Sequence, residues 1–255
     1  MKYKDSHIYY DSYNYARNGN LRDFAENTFI TSLIESIEKR CIIVLGGDGT
    51  MLRAIREHAS EDIPFLGINF WHKGFLLNHP SWIYPEIPEF STRRYPLLDI
   101  IYQGEVLWTT FNDINIYSPE WKAISLHIDI WNGQTELWGD GLILATPAGS
   151  TGHSQSYGWP ILPHSNKSLV LTPKGNISPQ KPKSLDDTHK IVIRNTWRKY
   201  PLWVNLDGEQ MLTTEFGESL ELEIKKSQRE VELLIAVPHL RDWDNKVLWE
   251  QGFRV

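Results

Sequence analysis

The 255-residue sequence contains one cysteine, Cys41, which excludes an intramolecular disulfide framework and any zinc cluster built from cysteines. It contains no run approaching the ~20 apolar residues that a membrane-spanning helix needs, so no membrane partner is expected. There is no basic surplus either: Lys and Arg number 26 against 32 Asp and Glu, a formal charge of −6. Phosphate backbones are bound by clustered cations, so nucleic acid is not an expected partner. The leading stretch MKYKDSHIYYDSYNY lacks the apolar centre of a secretory signal, and the expectation is a cytoplasmic protein. Missing too are a G-x-x-x-x-G-K-[ST] loop, a G-x-G-x-x-G fingerprint, an H-E-x-x-H pair, a G-x-S-x-G elbow and any repeat of the solenoid kind. The nine histidines show no ligand spacing, so no protein-held metal is expected. Tryptophan, by contrast, is abundant at eleven, and these side chains are expected as core or subunit-interface anchors.

The chain changes character along its length. Phe24, Phe29, Leu33, Ile34 and Ile37 recur at helical spacing, with Glu35, Glu38 and Lys39 on the other side. CIIVL at 41–45 reads as a buried strand, MLRAIREHA as a helix and PFLGINF as the next strand, a βαβ order that implies a parallel sheet and a right-handed crossover. From about residue 98 strand follows strand: LLDIIYQ, DINIYS, ISLHIDIWN, LILATP, HKIVIRN, PLWVNLD and LELEIKK, separated by Gly, Asn, Asp and Pro. WNGQ at 131–134 signals a hairpin through Asn132-Gly133, and TPKGNISPQKPKS reads as a Pro- and Lys-rich loop. The fold class expected is α/β: an N-terminal α/β domain with a parallel sheet, then a β-rich, sandwich-like C-terminal domain, with a change near Pro96.

Four polar clusters sit at strand ends: GGDGT at 46–50, Asn112-Asp113, GDG at 139–141 and TPAGSTGHSQS at 146–156. Taken singly, three of them read most simply as turns or polar loops. GGDGT differs because it lies between a buried strand and a helix, where ligands bind at the carboxyl ends of parallel strands. Its glycines suit backbone approach to phosphate, yet Asp48 places a carboxylate among them.

GGDGTML, GINFWHKGFLL at 67–77, FND at 111–113, GDGLILATPAGST at 139–151 and VLTP at 170–173 together resemble the NAD kinase family, in order and spacing across residues 41–240. The resemblance implies phosphoryl transfer from ATP, in some members polyphosphate, to the 2′-hydroxyl of the adenosine ribose of NAD. It implies an α/β domain over 1–97 onto which 237–255 return, a β-rich dinucleotide-binding domain over 98–236, and a homo-oligomer, dimer or tetramer. The divalent cation, Mg²⁺, would arrive on the ATP phosphates. Carried over residue by residue, Asp48 is the base, and Gly46, Gly47, Gly49 and Thr50 shape the phosphate loop. Asp48, Gly49, Phe75, Asn112, Asp113, Asp140, Thr151, Gly152, His153 and Ser156 contact NAD. Asp207-Gly208 fits a late family motif but reads as a structural turn. The puzzle of the acid in the loop then resolves: Asp48 serves the acceptor hydroxyl, while the metal offsets the phosphate charge beside it.

Departures from the family pattern fall on the pocket walls. Ala148, Gly152 and His153 replace the usual Thr, Ala and Tyr; Trp159 replaces a glycine, and Trp138 a basic residue. Phe70-Trp71-His72-Lys73 stands in place of a glycine-rich turn. A non-catalytic dinucleotide sensor of the same fold is therefore the main alternative. A lipid kinase of the diacylglycerol type shares GGDGT but lacks here its Pro-x-Gly-Thr-Gly-Asn-Asp segment, and an oxidoreductase lacks a Rossmann fingerprint.

Overall fold

The apolar run after Cys41 forms strand Ile42–Gly46, buried along its whole length, in a computed structural model that describes residues 7–37, 40–71, 74–120, 122–159, 161–175, 177, 181–196, 199–241 and 245. The chain divides into two units, residues 1–95 with 230–255, and residues 96–229.

In the first unit Ile42–Gly46 lies parallel to Phe65–Asn69, from Ile42 opposite Phe65 to Gly46 opposite Asn69. His7–Tyr10 adds a parallel strand on the other edge, and Leu233 pairs in parallel with Phe65. Strands covered on both faces need no polar alternation, which is why IIVLG and FLGIN read as continuous apolar runs. The connecting helix Asp48–His58 buries Met51, Leu52, Ala54 and Ile55. The periodic stretch before the sheet forms two helices, Gly19–Ala25 and Thr28–Ser36. The break falls at Asn27, whose side chain accepts from the Phe29 amide and so starts a new helix. Asn78, fully buried, donates to the carbonyls of Gly67 and Leu234 and accepts from the Ala236 amide, tying the returning chain to the sheet. Residues 242–244 and 246–255 of the expected returning segment lie outside the described residues.

The second unit is antiparallel. One sheet has the order Lys183–Asp186, Ser168–Lys174, Gly141–Ala145, Asp113–Tyr117, Trp203–Leu206, Glu209–Thr213. A second group of strands includes Ile191–Asn195, Ile124–Ile130 and Gly133–Gly139, with the second-unit parts of Phe90–Tyr102 and Glu221–Ala236. Ile114, Ile116, Leu142, Leu144, Leu169 and Leu171 from the first sheet meet Leu126, Ile128, Ile191, Ile193 and Leu222 from the second in one core. Each such side chain, fully buried, contributes about 1.5–3 kcal/mol. Because side chains alternate, the same strands turn Asp113, Asn115 and Tyr117 to the opposite face.

Some local expectations are corrected. Ile130 pairs with Gly133, so the two loop residues of the hairpin are Trp131 and Asn132, with Trp131 at φ 48°, rather than Asn132-Gly133. Thr172, Pro173 and Lys174 belong to a strand instead of a loop; 176 and 178–180 lie outside the described residues. No described tryptophan is a fully buried core residue: Trp82, Trp108 and Trp159 pack at cluster rims, and Trp71, Trp131 and Trp138 are exposed. The indole is too large and too polar at one edge for close-packed strands of Ile and Leu.

Candidate active site

In the first unit the candidate residues sit at the carboxyl end of Ile42–Gly46. Gly47 is the N-cap of the helix and Asp48 its first residue. A side chain at Gly46 would collide with Thr50, its Cβ standing 2.4 Å from Oγ1, and one at Gly47 would stand 2.5 Å from the Trp71 indole. Close packing by itself therefore demands these two glycines.

Asn69, the last residue of the GIN strand, shapes the loop that follows. Its Oδ1 accepts from the Trp71 amide (3.1 Å) and its Nδ2 donates to the Trp71 carbonyl (2.9 Å). The loop then brings two amides onto Asp48: Phe75 N donates to both carboxylate oxygens (3.0 and 2.9 Å), and Leu76 N to Oδ1 (2.9 Å). Phe75, which the family resemblance places against the dinucleotide, also orients Asp48 through its backbone amide. Asp11, Asn14, Gly47, Asp48, Gly49, Thr50, Arg53 and Trp71 line a cleft of ≈ 320 Å³. Arg53 Nη1 pairs there with the Asp11 carboxylate, whose pKa is held down by that hydrogen bond and by the Asn14 amide.

In the second unit, Asn112 and Asp113 are held by three devices. Thr146 N donates to the Asn112 carbonyl (2.8 Å) and Thr146 Oγ1 to that of Phe111 (2.7 Å). Gly149 lies so close that a Cβ there would stand 2.1 Å from the Asn112 carbonyl oxygen. The third is Asp207, a turn residue by its Asp-Gly sequence. It is one (φ 51°, followed by Gly208 at φ 84°), but its carboxylate also accepts from the amides of Phe111 (3.0 Å), Asn112 (2.7 Å) and Asp113 (3.2 Å) and from the Thr110 hydroxyl (2.6 Å). Burial pushes the Asp207 carboxyl up; the Phe111 amide, the Thr110 hydroxyl and the Asn112 amide pull it down, and the Asp113 charge pushes it up. The Asp-Gly hairpin signal hides this role, because the turn explains the pair without its side chain.

Asn112 Oδ1, Asp113 Oδ1 and Asn205 Oδ1 are buried and accept no hydrogen bond. Buried acceptors are nearly always paired, so three unpartnered oxygens together mark a place suited to a donor-bearing ligand. Asp140 is exposed beside Gly175, and its amide donates to the Lys174 carbonyl. Thr151 and Ser156 each donate their hydroxyl to a carbonyl of their own turn, Ala148 and His153 respectively. They retain only acceptor capacity for a ligand. A Cβ at Gly152 would stand 3.8 Å from Asp113 Oδ2, so the small residue leaves room beside the acid.

His153 Nδ1 lies 3.5 Å from Asp113 Oδ2, with the imidazole side chain 54% exposed. The Asp113 carboxylate beside it raises the imidazole pKa, while burial and Lys174 oppose that. A raised folded-state pKa gives stability that is fully present below the unfolded value of about 6.5 and is lost as pH rises through the folded value. His153→Tyr should therefore cost more stability at pH 5.5 than at pH 8.5. The difference is small because water screens the pair. Thermal unfolding of both proteins at the two pH values checks this; equal differences would detach His153 from Asp113.

Residues 7–87 match the ATP-NAD kinase N-terminal domain and residues 122–236 the ATP-NAD kinase C-terminal domain. Among similar proteins, the NAD kinase of Natranaerobius thermophilus is 30% identical over 222 residues, covering 82% of this chain and 77% of the relative. That of Flavobacterium johnsoniae is 30% identical over 233 residues, 84% and 77%. The fold is similar to the crystal structure of an NAD kinase from Archaeoglobus fulgidus in complex with ATP, with a TM-score of 0.72, 20% identity, and coverage of 95% of this chain and 98% of that one. A yeast NADH kinase complexed with NADH gives a TM-score of 0.69 at 22% identity, covering 84% and 67%. With both family domains matched in order, and with relatives of this identity along most of its length, the chain belongs to the NAD kinase family.

Proposed function

We propose that this chain transfers the terminal phosphoryl group of ATP to the 2′-hydroxyl of the adenosine ribose of NAD, giving NADP and ADP. One observation supports it above the rest: the carboxylate of Asp48 is fixed by the amides of Phe75 and Leu76 at the mouth of a polar, phosphate-sized cleft. A fixed carboxylate is what an alcohol needs as it attacks phosphorus. Phosphoryl transfer is mostly positioning plus charge stabilisation, with the proton leaving late. Gly46, Gly47, Gly49 and Thr50 shape the donor's phosphate loop, and Arg53 supplies positive charge at its edge. Asn112 and Asp113 receive the hydroxyl and amino donors of the dinucleotide on the oxygens that the protein leaves unpaired.

Among the described residues no group of three His, Cys, Asp or Glu side chains could cage a metal. Mg²⁺ would be held mainly by the ATP phosphates, and Asp48 and Asp11 are the carboxylates that line the cleft. When bound, the ion neutralises the phosphate charge that would otherwise repel the acid. Polyphosphate as donor is the competing possibility for the same cleft.

The test is direct. The purified protein, ATP, Mg²⁺ and NAD are incubated and NADP is measured with an NADP-specific dehydrogenase, polyphosphate replacing ATP in a parallel reaction. NADP formation is the expected result. Binding of NAD without turnover would favour the sensor reading that the departures at His153, Ala148, Gly152 and Trp159 raise.

Assembly as a homo-oligomer, dimer or tetramer, is part of the same proposal, with Trp138 (45% exposed on strand Gly133–Gly139) as an interface anchor. A cytoplasmic location is proposed as well; among the described residues no helix is long and apolar enough to cross a membrane. A tryptophan buried at an interface is worth about 2 kcal/mol or more. Light scattering should report an oligomer at micromolar concentration and a shift toward smaller species for Trp138→Ala. A monomeric wild type would remove this part of the proposal.

A further inference from the structure

We infer that Lys174 determines dinucleotide affinity, its ammonium pairing with a phosphate group of NAD or NADP held on the outer face of the six-stranded sheet. The inference rests on the reading of Asn112 and Asp113 as dinucleotide-binding residues.

Strand register explains how the lysine gets there. Lys174 is opposite Gly141, and Gly141 is opposite Tyr117. A side chain cannot stand at position 141, where a Cβ would lie 2.3 Å from the Ile116 carbonyl oxygen and 2.9 Å from Tyr117 Cβ. The lysine stem can therefore pass over the bare glycine backbone. Its Nζ reaches 4.5 Å from the centre of the Tyr117 ring, 5.7 Å from that of Tyr157 and 3.2 Å from Asn115 Oδ1.

Those contacts are one neutral oxygen and two aromatic faces, although an ammonium has three donors. Asp140 and Asp113 act on it electrostatically, but neither forms an ion pair with it. Burial lowers the lysine's pKa while the two acids raise it. A half-buried cation short of a carboxylate partner is costly for the protein alone. On the same outer face Asp113 and Asn205 keep unpartnered buried oxygens, and Asn112, the residue before the strand, keeps one as well. Unpaired acceptors beside an underused cation complement a ligand that offers both hydroxyls and phosphate. The tyrosine rings restrict the ammonium without neutralising it, which leaves its charge for the ligand. Two phosphates qualify: the pyrophosphate, common to NAD and NADP, and the 2′-phosphate, present in NADP alone.

The experiment measures calorimetric affinity for NAD and for NADP, and steady-state KM for NAD, in the full-length wild type and in Lys174→Met, Lys174→Gln and Lys174→Arg. Losing a charge-assisted hydrogen bond should weaken binding roughly 10- to 100-fold in the Met and Gln variants, with KM for NAD rising as well when the pyrophosphate is the partner, and with Arg within a few-fold of wild type. Equal losses for NAD and NADP assign the pyrophosphate; a loss confined to NADP assigns the 2′-phosphate. The uncharged variants bind both ligands as wild type does if the lysine is only structural, and that result would overturn the inference while leaving the Asn112-Asp113 reading intact. A wild type that binds neither dinucleotide would overturn both.

Discussion

Asp48→Asn should lower turnover by roughly 10²- to 10⁴-fold, the usual worth of a positioned acid–base group. The substitution keeps the shape of the side chain and one acceptor for the Phe75 and Leu76 amides, so the loop and the helix start should persist. What is lost is the charge and the capacity to take a proton. The amide nitrogen would also face a backbone donor, a mismatch that costs some order in the loop, so thermal unfolding should accompany the kinetics. NAD affinity is expected to change far less than turnover. If the folded Asn variant turns over within a few-fold of wild type, Asp48 is not the base and its carboxylate serves only to bind the 74–76 loop.

The second large effect is expected at a residue that touches no substrate in this account. Asp207→Ala removes the acceptor for the Thr110 hydroxyl and for the amides of Phe111, Asn112 and Asp113. Hydrogen bonds to a charged group contribute about 1.5–3 kcal/mol each, and amides left without a partner retain their desolvation cost. Water can recover part of this, so a loss of about 3–5 kcal/mol is expected, within the range for a broken buried network. For a chain of this size that lowers the unfolding midpoint by roughly 6–20 °C. Positioning is separated from stability by measuring NAD affinity well below the lowered midpoint, where circular dichroism shows an intact fold. Affinity should still fall at least about tenfold, because Asn112 and Asp113 are no longer aimed. Asp207→Asn, which keeps one acceptor, should be intermediate in both readouts. Wild-type affinity in the cold, folded Ala variant would leave Asp207 with a structural role alone.

The parallel half of the molecule was legible because its signals are local. Ile42–Gly46 and Phe65–Asn69 are short apolar runs buried on both faces, and the GGDGT turn between strand and helix announces itself by its glycines. Asn27 was harder to read. It sits inside an unbroken hydrophobic period, and only its capping bond to Phe29 shows that two helices meet there. The hairpin at 130–133 was misjudged by one residue because the Asn-Gly signal outweighed strand register, which places bulky Trp131 at positive φ.

Composition and periodicity by themselves determined the class of the fold, the βαβ start and the run of strands that follows, because those properties depend on residues near one another in the chain. The resemblance of the ordered motifs to the family supplied Asp48, Asn112 and Asp113 as candidates. The tertiary structure alone decided which groups hold the candidates in place. Phe75 and Leu76 reach Asp48 through backbone amides, which no side-chain pattern encodes. Asp207 lies more than ninety positions from the loop it orders, and Lys174 meets Tyr117 only because register puts a bare glycine between them. Backbone donors and cross-strand neighbours are set by which segments the hydrophobic core brings together, and that is a property of the packed chain rather than of any stretch of it.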